Sequence, residues 1–177
     1  MLVFLNPGHA PNGNPDPGAC SPTTGLRESD VAADVAAKVS YYLNQVGIET
    51  TIVQDDSLAV ICDTANSMNA DLFVSIHCNS ADNIAAKGTE TFSYYGSGNS
   101  ARLASCIQGQ IVSSLHTVDR GIKEAGYYVI MNTDMTAVLV ELAFISNEED
   151  EQLLSSEHGK DEFARAIARG ITDYAQG

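Results

Sequence analysis

The residues Leu72–Ile76 form the stretch that most constrains the fold. They read LFVSI, a short and nearly continuous apolar run of strand-forming residues. This is the pattern of a strand buried on both faces, as found in parallel sheets. His77 follows the run directly, and ligand-binding groups gather beyond the carboxyl ends of strands in open α/β sheets. An isolated histidine there more often bonds a backbone carbonyl, so its role depends on partners elsewhere in the chain.

Strand and helix patterns alternate along the rest of the chain and predict one α/β domain over residues 1–177. Further strands are predicted at Leu2–Leu5, Ile48–Val53, Gly88–Tyr95, Tyr127–Met131 and Ala137–Phe144, and Gly88–Tyr95 has the alternation of a partly exposed strand. Helices are predicted at 26–46, 58–68, 100–115 and 148–155, with a closing amphipathic helix through Phe163 and Tyr174.

The charge balance argues against one class of partner. The chain has 9 basic and 23 acidic side chains, giving a net charge of −14. Nucleic acid is therefore not expected as a partner, because phosphate binding needs clustered Lys and Arg. The four cysteines (Cys20, Cys62, Cys78 and Cys106) include no CxxC pair, so we expect them to be reduced and to act as small apolar residues.

The start of the chain, MLVFLNPGH, predicts a strand and not a leader. It has no basic segment and its apolar stretch is too short for a secretory signal peptide. No apolar run approaches the roughly 18 residues of a membrane span. We therefore expect a protein that stays in the cytoplasm until it is released, or a domain of a longer chain.

Three residues besides His77 stand out as candidates for chemistry. His9 also follows an apolar strand, and it opens a long loop rich in Pro, Gly and Asn that is expected to be functional. Glu141 is the single charge inside the apolar run 137–144, where an ionised carboxylate needs a partner or a shifted pKa. Glu28 lies in the first turn of the first helix, where the helix dipole alone favours an acid.

Two imidazoles and one carboxylate with an open fourth position form the set that catalytic zinc uses, and a further carboxylate commonly acts as general base. The candidates have no local signature such as HExxH, so the residues alone leave a zinc hydrolase open. Structural alternatives remain for Glu28, as a favourable helix-start acid, and for Glu141, as the partner of a buried Arg. The remaining acids Glu148, Glu149 and Glu151 are expected on a solvated helix face, and His116 and His158 on the surface.

Four blocks of the sequence resemble a known family. NPGH, GLRES at a helix start, ADLFVSIHCNSA and TAVLVELAFISN are similar to the blocks of the zinc-dependent N-acetylmuramoyl-L-alanine amidases of the Amidase_3 type. The similarity extends through GTETF, DRGIKEAGYYVIMNT and the final helix, so it covers essentially the whole chain. The resemblance implies an α/β fold with a twisted, mainly parallel (mixed) sheet of about six strands and helices on both faces.

By match to that family, His9, Glu28 and His77 are implied as zinc ligands and Glu141 as the catalytic residue. The implied reaction is hydrolysis of the amide bond between the lactyl group of N-acetylmuramic acid and the L-alanine of the stem peptide. Zinc would polarise the carbonyl and acidify a water, and Glu141 would carry the proton to the leaving amine. The implied partner is peptidoglycan, and such enzymes, which include phage lysins, often carry a separate wall-binding module.

The chain departs from the family pattern at several places. GHAPNGNPDPGA stands where GHGG is usual, and Ile61 and Met131 occupy positions that are commonly basic. These departures concern the contacts with substrate. Asn79, Asn12 and Asn14 are candidates for such contacts, although a purely structural role in turns is equally expected for them. Two alternatives stay open: a zinc peptidase that cuts within the stem peptide, and a wall-binding domain of the same fold without catalysis.

Overall fold

The computed structural model describes Met1–Gly177 and contains one six-stranded mixed sheet. Its strands are β1 (Leu2–Pro7), β2 (Glu49–Ile52), β3 (Leu72–Asn79), β4 (Thr89–Ser93), β5 (Asp119–Glu124) and β6 (Thr136–Phe144). Its helices are α1 (Glu28–Gln45), α2 (Leu58–Ser67), α3 (Gly98–Leu115), α4 (Tyr128–Met131), α5 (Glu148–Ser155) and α6 (Glu157–Gln176), with one 3-10 turn at Pro11–Gly13.

The strand order is β2-β1-β3-β6-β4-β5. Strands β2, β1, β3 and β6 are parallel, whereas β4 runs antiparallel to β6 and parallel to β5. The carboxyl ends of β1, β3 and β6 therefore meet at one edge of the sheet, together with the amino ends of β4 and β5. We call this the site edge. The predicted mainly parallel, mixed α/β sheet is confirmed.

Helices cover both faces of the sheet, and the alternation along β3 shows how the sequence divides between them. Leu72, Val74 and Ile76 enter the larger apolar cluster, which also holds the buried faces of α1, α3 and α6. Phe73 enters the smaller cluster on the other face, with residues of α2 and α4. Because side chains alternate along a strand, His77 leaves the sheet on the same face as Phe73.

One predicted strand was wrong, and one strand of the sheet was not predicted. Tyr127–Met131 was expected as a strand, but Tyr128–Met131 is a helical turn whose Val129 and Ile130 pack into the smaller cluster. The strand β5 was not predicted, since its sequence DRGIKE has little apolar alternation. As an edge strand that pairs only with β4, it can carry charged side chains into solvent.

Burial corrects two further expectations. Strand β4 is buried along its whole length, because it lies between β6 and β5 and is covered by helices. Glu148 and Glu149 are exposed as expected, but Glu151 is buried and its carboxylate accepts a hydrogen bond from the Thr24 hydroxyl at 2.6 Å. This bond ties the loop before α1 to helix α5.

Other expectations are confirmed. All four cysteines are free, and Cys62 and Cys78 are buried as expected of small apolar residues, whereas Cys20 is exposed. His116 and His158 are exposed. None of the helices combines the length and the apolar character that crossing a membrane requires.

Candidate metal centre and active site

Three separate elements bring His9, Glu28 and His77 together at the site edge. His9 follows β1 and His77 belongs to the neighbouring parallel strand β3, so their rings lie edge to face with centroids 5.1 Å apart. Glu28 is the first residue of α1, a helix that packs on the face of the sheet opposite to the one from which His77 projects. One ligand atom from each residue lies within 4.8 Å of the others, so the three side chains can hold a metal ion. Their assignment as metal ligands stays a prediction.

The Glu28 carboxylate joins the two imidazoles. Its Oε1 atom lies 2.8 Å from His77 Nδ1 and accepts the Cys78 backbone N–H, and its Oε2 atom lies 3.1 Å from His9 Nε2 and accepts the Ala19 N–H. The side chain is only 5% exposed. Burial alone would raise the pKa of this carboxyl group, but the hydrogen bonds from His77 and His9 hold the pKa well below its usual range. Glu28 is thus a buried carboxylate with defined partners, and more than a favourable helix-start residue.

The His9 imidazole faces two carboxylates. Its pKa is raised to about 9, mainly by the hydrogen bond to Glu28, against the effect of burial and with a further contribution from Asp16. In the metal-free protein at neutral pH, this ring is therefore an imidazolium that donates to both carboxylates. Asp16 was not identified from the sequence, because it lies in an irregular loop with no periodic pattern to single it out.

Two glycines let the backbone pack against the imidazole rings. A Cβ atom at Gly8 would overlap the His77 ring, and one at Gly18 would lie 2.7 Å from Glu28 Oε2 and clash with the His9 ring. Gly18 also has a φ of +68°, which favours glycine. The two residues therefore set the positions of the imidazoles by close approach of the main chain.

Glu141 lies beside this cluster on β6, where it is the register partner of His77. Its Oε2 atom is buried without a hydrogen-bond partner. Burial raises the pKa of the carboxyl group to about 7, although the neighbouring His77 lowers it in part. No salt bridge reaches Glu141, so the alternative of a carboxylate paired with a buried Arg is not what the structure shows.

A second carboxylate, that of the buried residue Glu90, lies directly across from Glu141 on the antiparallel strand β4. Unlike Glu141, it is fully paired: Arg120 donates to it at 2.8 Å, Lys123 forms an ion pair with it, and the Asn79 amide donates to it at 2.7 Å. Glu90 was not identified from the sequence, although a lone acid within a run of strand formers was the signal that identified Glu141.

An open groove of about 330 Å³ borders the two imidazoles. It is lined by Asn6, Gly8, His9, Asp16, Asp55, Asp56, Leu58, Ile61, His77, Tyr127, Tyr128, Val129 and Leu139. The lining contains acids and aromatic rings but no Lys or Arg. Ile61 is itself buried in the smaller apolar cluster, and Met131 is exposed.

The three candidate substrate-contact residues differ in their surroundings. The Asn79 side chain is engaged with Glu90 and with the Ser80 backbone N–H. Asn12 and Asn14 are exposed in the loop after His9. Contact of any of them with substrate stays a prediction.

An α/β sheet with two histidines and one carboxylate clustered at its carboxyl edge, next to an unpaired carboxylate, is typical of a metal-dependent hydrolase. Comparison with known proteins identifies the family. A family model described as N-acetylmuramoyl-L-alanine amidase (Amidase_3) matches residues 3–173. The chain belongs to this family, and the resemblance in its sequence blocks is confirmed.

Individual relatives agree with the family. The N-acetylmuramoyl-L-alanine amidase LytC of Bacillus subtilis is 39% identical over 97% of this chain, and the endolysin of Bacillus phage SPP1 is 33% identical over 97%. The aligned region is 35% of LytC and 65% of the endolysin, so the chain spans only part of these relatives. The structure of the amidase AmiC2 of Nostoc punctiforme is 32% identical, with a TM-score of 0.92 over 100% of this chain and 98% of that one.

Proposed function

We propose that this chain is a peptidoglycan amidase. It would hydrolyse the amide bond between the lactyl group of N-acetylmuramic acid and the L-alanine of the stem peptide. The observation that carries this proposal is the cluster of His9, Glu28 and His77 beside the unpaired carboxylate of Glu141, whose Oε2 atom is buried. The names of the amidase relatives support the choice of bond.

The residues present fit a zinc ion. Two imidazole nitrogens and one carboxylate oxygen are ligands that catalytic zinc sites use, and here they converge from the loop after β1, the start of α1 and strand β3. Cys78 is adjacent in sequence to His77 but packs into the larger apolar cluster on the opposite face, so it does not make this a closed structural site. When bound there, zinc would supply a Lewis acid that polarises the scissile carbonyl and acidifies the attacking water.

Glu141 would act as general base and then as general acid. Its buried Oε2 atom has no protein partner and is therefore available to take a proton from water. In the metal-free protein, burial raises the pKa of this carboxyl group to about 7, so the group is suited to accept a proton and to return it to the departing amine near neutral pH. Glu90 cannot take this role, since its carboxylate is occupied by Arg120 and Lys123.

The groove beside His9 and His77 would hold part of the muropeptide. Tyr127 and Tyr128 provide half-exposed aromatic surface on one wall, and Tyr127 is fixed by an edge contact with Phe92 at 5.1 Å between ring centroids. The site edge of the sheet would thus provide both the reacting groups and a surface that binds the substrate. A protein with this substrate would act on the cell wall. The proposal includes a separate wall-binding module outside residues 1–177.

The test is release of soluble fragments from purified peptidoglycan by the native protein, the chelated protein, the chelated protein resupplied with zinc, and Glu141→Gln. The proposal predicts activity only for the native and zinc-resupplied proteins. Fragment release that survives both chelation and Glu141→Gln would overturn the metal mechanism. A native, zinc-loaded protein that binds the wall without releasing fragments would favour the non-catalytic alternative.

A further inference from the structure

The carboxylate of Asp16 is held in place by the loop that follows His9. The Ala10 N–H donates to the Asp16 carbonyl oxygen at 2.9 Å, which closes the loop. The Gly18 N–H donates to Asp16 Oδ1, also at 2.9 Å. These two bonds fix both the backbone and one carboxylate oxygen, and they leave Oδ2 directed at His9.

Oδ2 lies 2.7 Å from His9 Nδ1, while the opposite ring nitrogen, Nε2, faces Glu28 at 3.1 Å. Every polar atom of the His9 ring therefore has an acidic partner. The His9 backbone has a φ of 65°, in the left-handed region, so the ring direction depends on a conformation that the loop must maintain.

His77 is held in a different way. Its Nδ1 atom faces Glu28, and no carboxylate contacts its other nitrogen. The His77 ring is instead held by packing, because the Gly8 backbone lies directly against it. The two histidines of the cluster are thus oriented by different means, one by a hydrogen bond and the other by packing.

We infer that Asp16 is a positioning residue for the metal centre: by accepting the His9 Nδ1–H, it presents His9 Nε2 as the ligand atom. This inference rests on the proposed zinc-dependent function. A carboxylate on the second nitrogen of a ligating histidine fixes the tautomer and ring orientation and increases the basicity of the ligand. Removing such a partner typically weakens metal binding by about 10–100-fold.

The experiment compares Asp16→Ala, Asp16→Asn and the native protein by zinc competition against a chelating dye at fixed pH. Asp16→Ala is expected to raise the zinc dissociation constant about 10–100-fold. Asp16→Asn is expected to recover part of the loss, because the amide oxygen can still accept the Nδ1–H. The matched control is Asp134→Ala, which removes an exposed carboxylate just before β6, at the edge of the sheet opposite the site edge, and its zinc affinity should equal that of the native protein.

A spectroscopic readout separates positioning from a general effect on the loop. In the zinc-loaded native protein, proton NMR should show a downfield, slowly exchanging His9 Nδ1–H that is absent from Asp16→Ala. Retention of that signal in Asp16→Ala, or a zinc dissociation constant within twofold of native, would overturn the inference while the proposed function stands. A native protein that binds no zinc would overturn the proposed function, and this inference with it.

Discussion

His77 and Glu141 are register partners on the neighbouring parallel strands β3 and β6, so their side chains leave the same face of the sheet at the site edge. Glu90 continues the row on β4, as the antiparallel partner of Glu141. A candidate metal ligand, an unpaired carboxylate and a fully paired carboxylate therefore stand side by side. This arrangement gives Glu141, and not Glu90, the freedom to exchange a proton.

Glu141→Gln should lower the rate of peptidoglycan hydrolysis by about 10²–10⁴-fold, the usual contribution of a general acid or base. Zinc content should not change, because Glu141 is outside the three-residue cluster. The rate is measured by fragment release and the zinc content by elemental analysis of the same sample.

Glu49→Gln is the matched control for this prediction, since Glu49 is exposed at the amino end of β2, at the edge of the sheet opposite the site edge. It should hydrolyse peptidoglycan at the native rate. Native-level activity of Glu141→Gln would remove Glu141 from the mechanism.

Zinc binding at pH 7 should release about one proton from His9. The pKa of His9 is raised to about 9 in the metal-free protein, chiefly by its bond to Glu28, so the ring carries a proton that zinc must displace. The apparent zinc affinity should consequently rise with pH, by about tenfold per unit between pH 7 and 9 from this group. Calorimetry in two buffers of different ionisation enthalpy measures the release, and equal binding enthalpies in both buffers would contradict the prediction.

Gly8→Ala should weaken zinc binding by displacing the His77 ring, which the new Cβ atom would overlap. The backbone at Gly8 does not have a positive φ, so the effect is expected at the ring and not through backbone strain. Zinc competition measures the change in affinity, and circular dichroism checks that the variant is folded.

Gly98→Ala serves as the control, because a Cβ atom there meets nothing within 4 Å and the backbone is not in the left-handed region. Its zinc affinity should equal the native value. If the two alanine variants bound zinc equally well, close packing at Gly8 would have no part in placing His77.

The stability of the metal-free protein should carry a specific pH dependence from Glu141. Its pKa in the folded protein is about 7, raised from 4.5 by burial, so the folded state retains a proton that the unfolded chain loses above pH 4.5. The resulting stabilisation is full below that pH and is lost as the pH rises towards 7. This loss amounts to about 3 kcal/mol of the free energy of unfolding.

Urea unfolding of the metal-free native protein and of Glu141→Gln across pH 4.5–7 measures this contribution. Because glutamine does not titrate, the stability of the variant relative to native should rise by about 3 kcal/mol over the range. Parallel curves for the two proteins would mean that the pKa of Glu141 is not raised by burial.

The sequence predicted the centre of the sheet well, for a physical reason. Strands β3 and β6 are buried on both faces, so their apolar runs are distinctive. The placement of His9 and His77 at one edge then followed from the parallel pairing of β1 and β3. Strand β5 and helix α4 were not predicted correctly, because an edge strand tolerates charge and a single helical turn has no periodicity to detect.

The site was only partly accessible from the sequence. Glu141 was identified because a lone carboxylate in an apolar strand is costly unless it has a function or a partner. The meeting of Glu28 with both imidazoles depends on how α1 packs across the sheet, which local patterns do not encode. The residues alone singled out Glu28 only as an acid at a helix start, and the resemblance to the amidase family implied its role as a metal ligand. Asp16 became visible only through its contact with His9.

The most direct test of the proposed amidase activity is product analysis of purified peptidoglycan digested by the zinc-loaded protein. An amidase is expected to produce new L-alanine amino termini, together with glycan strands of unchanged length. New amino termini at other positions of the stem peptide, without release of L-alanine termini, would contradict the amidase and identify a peptidase at the same site.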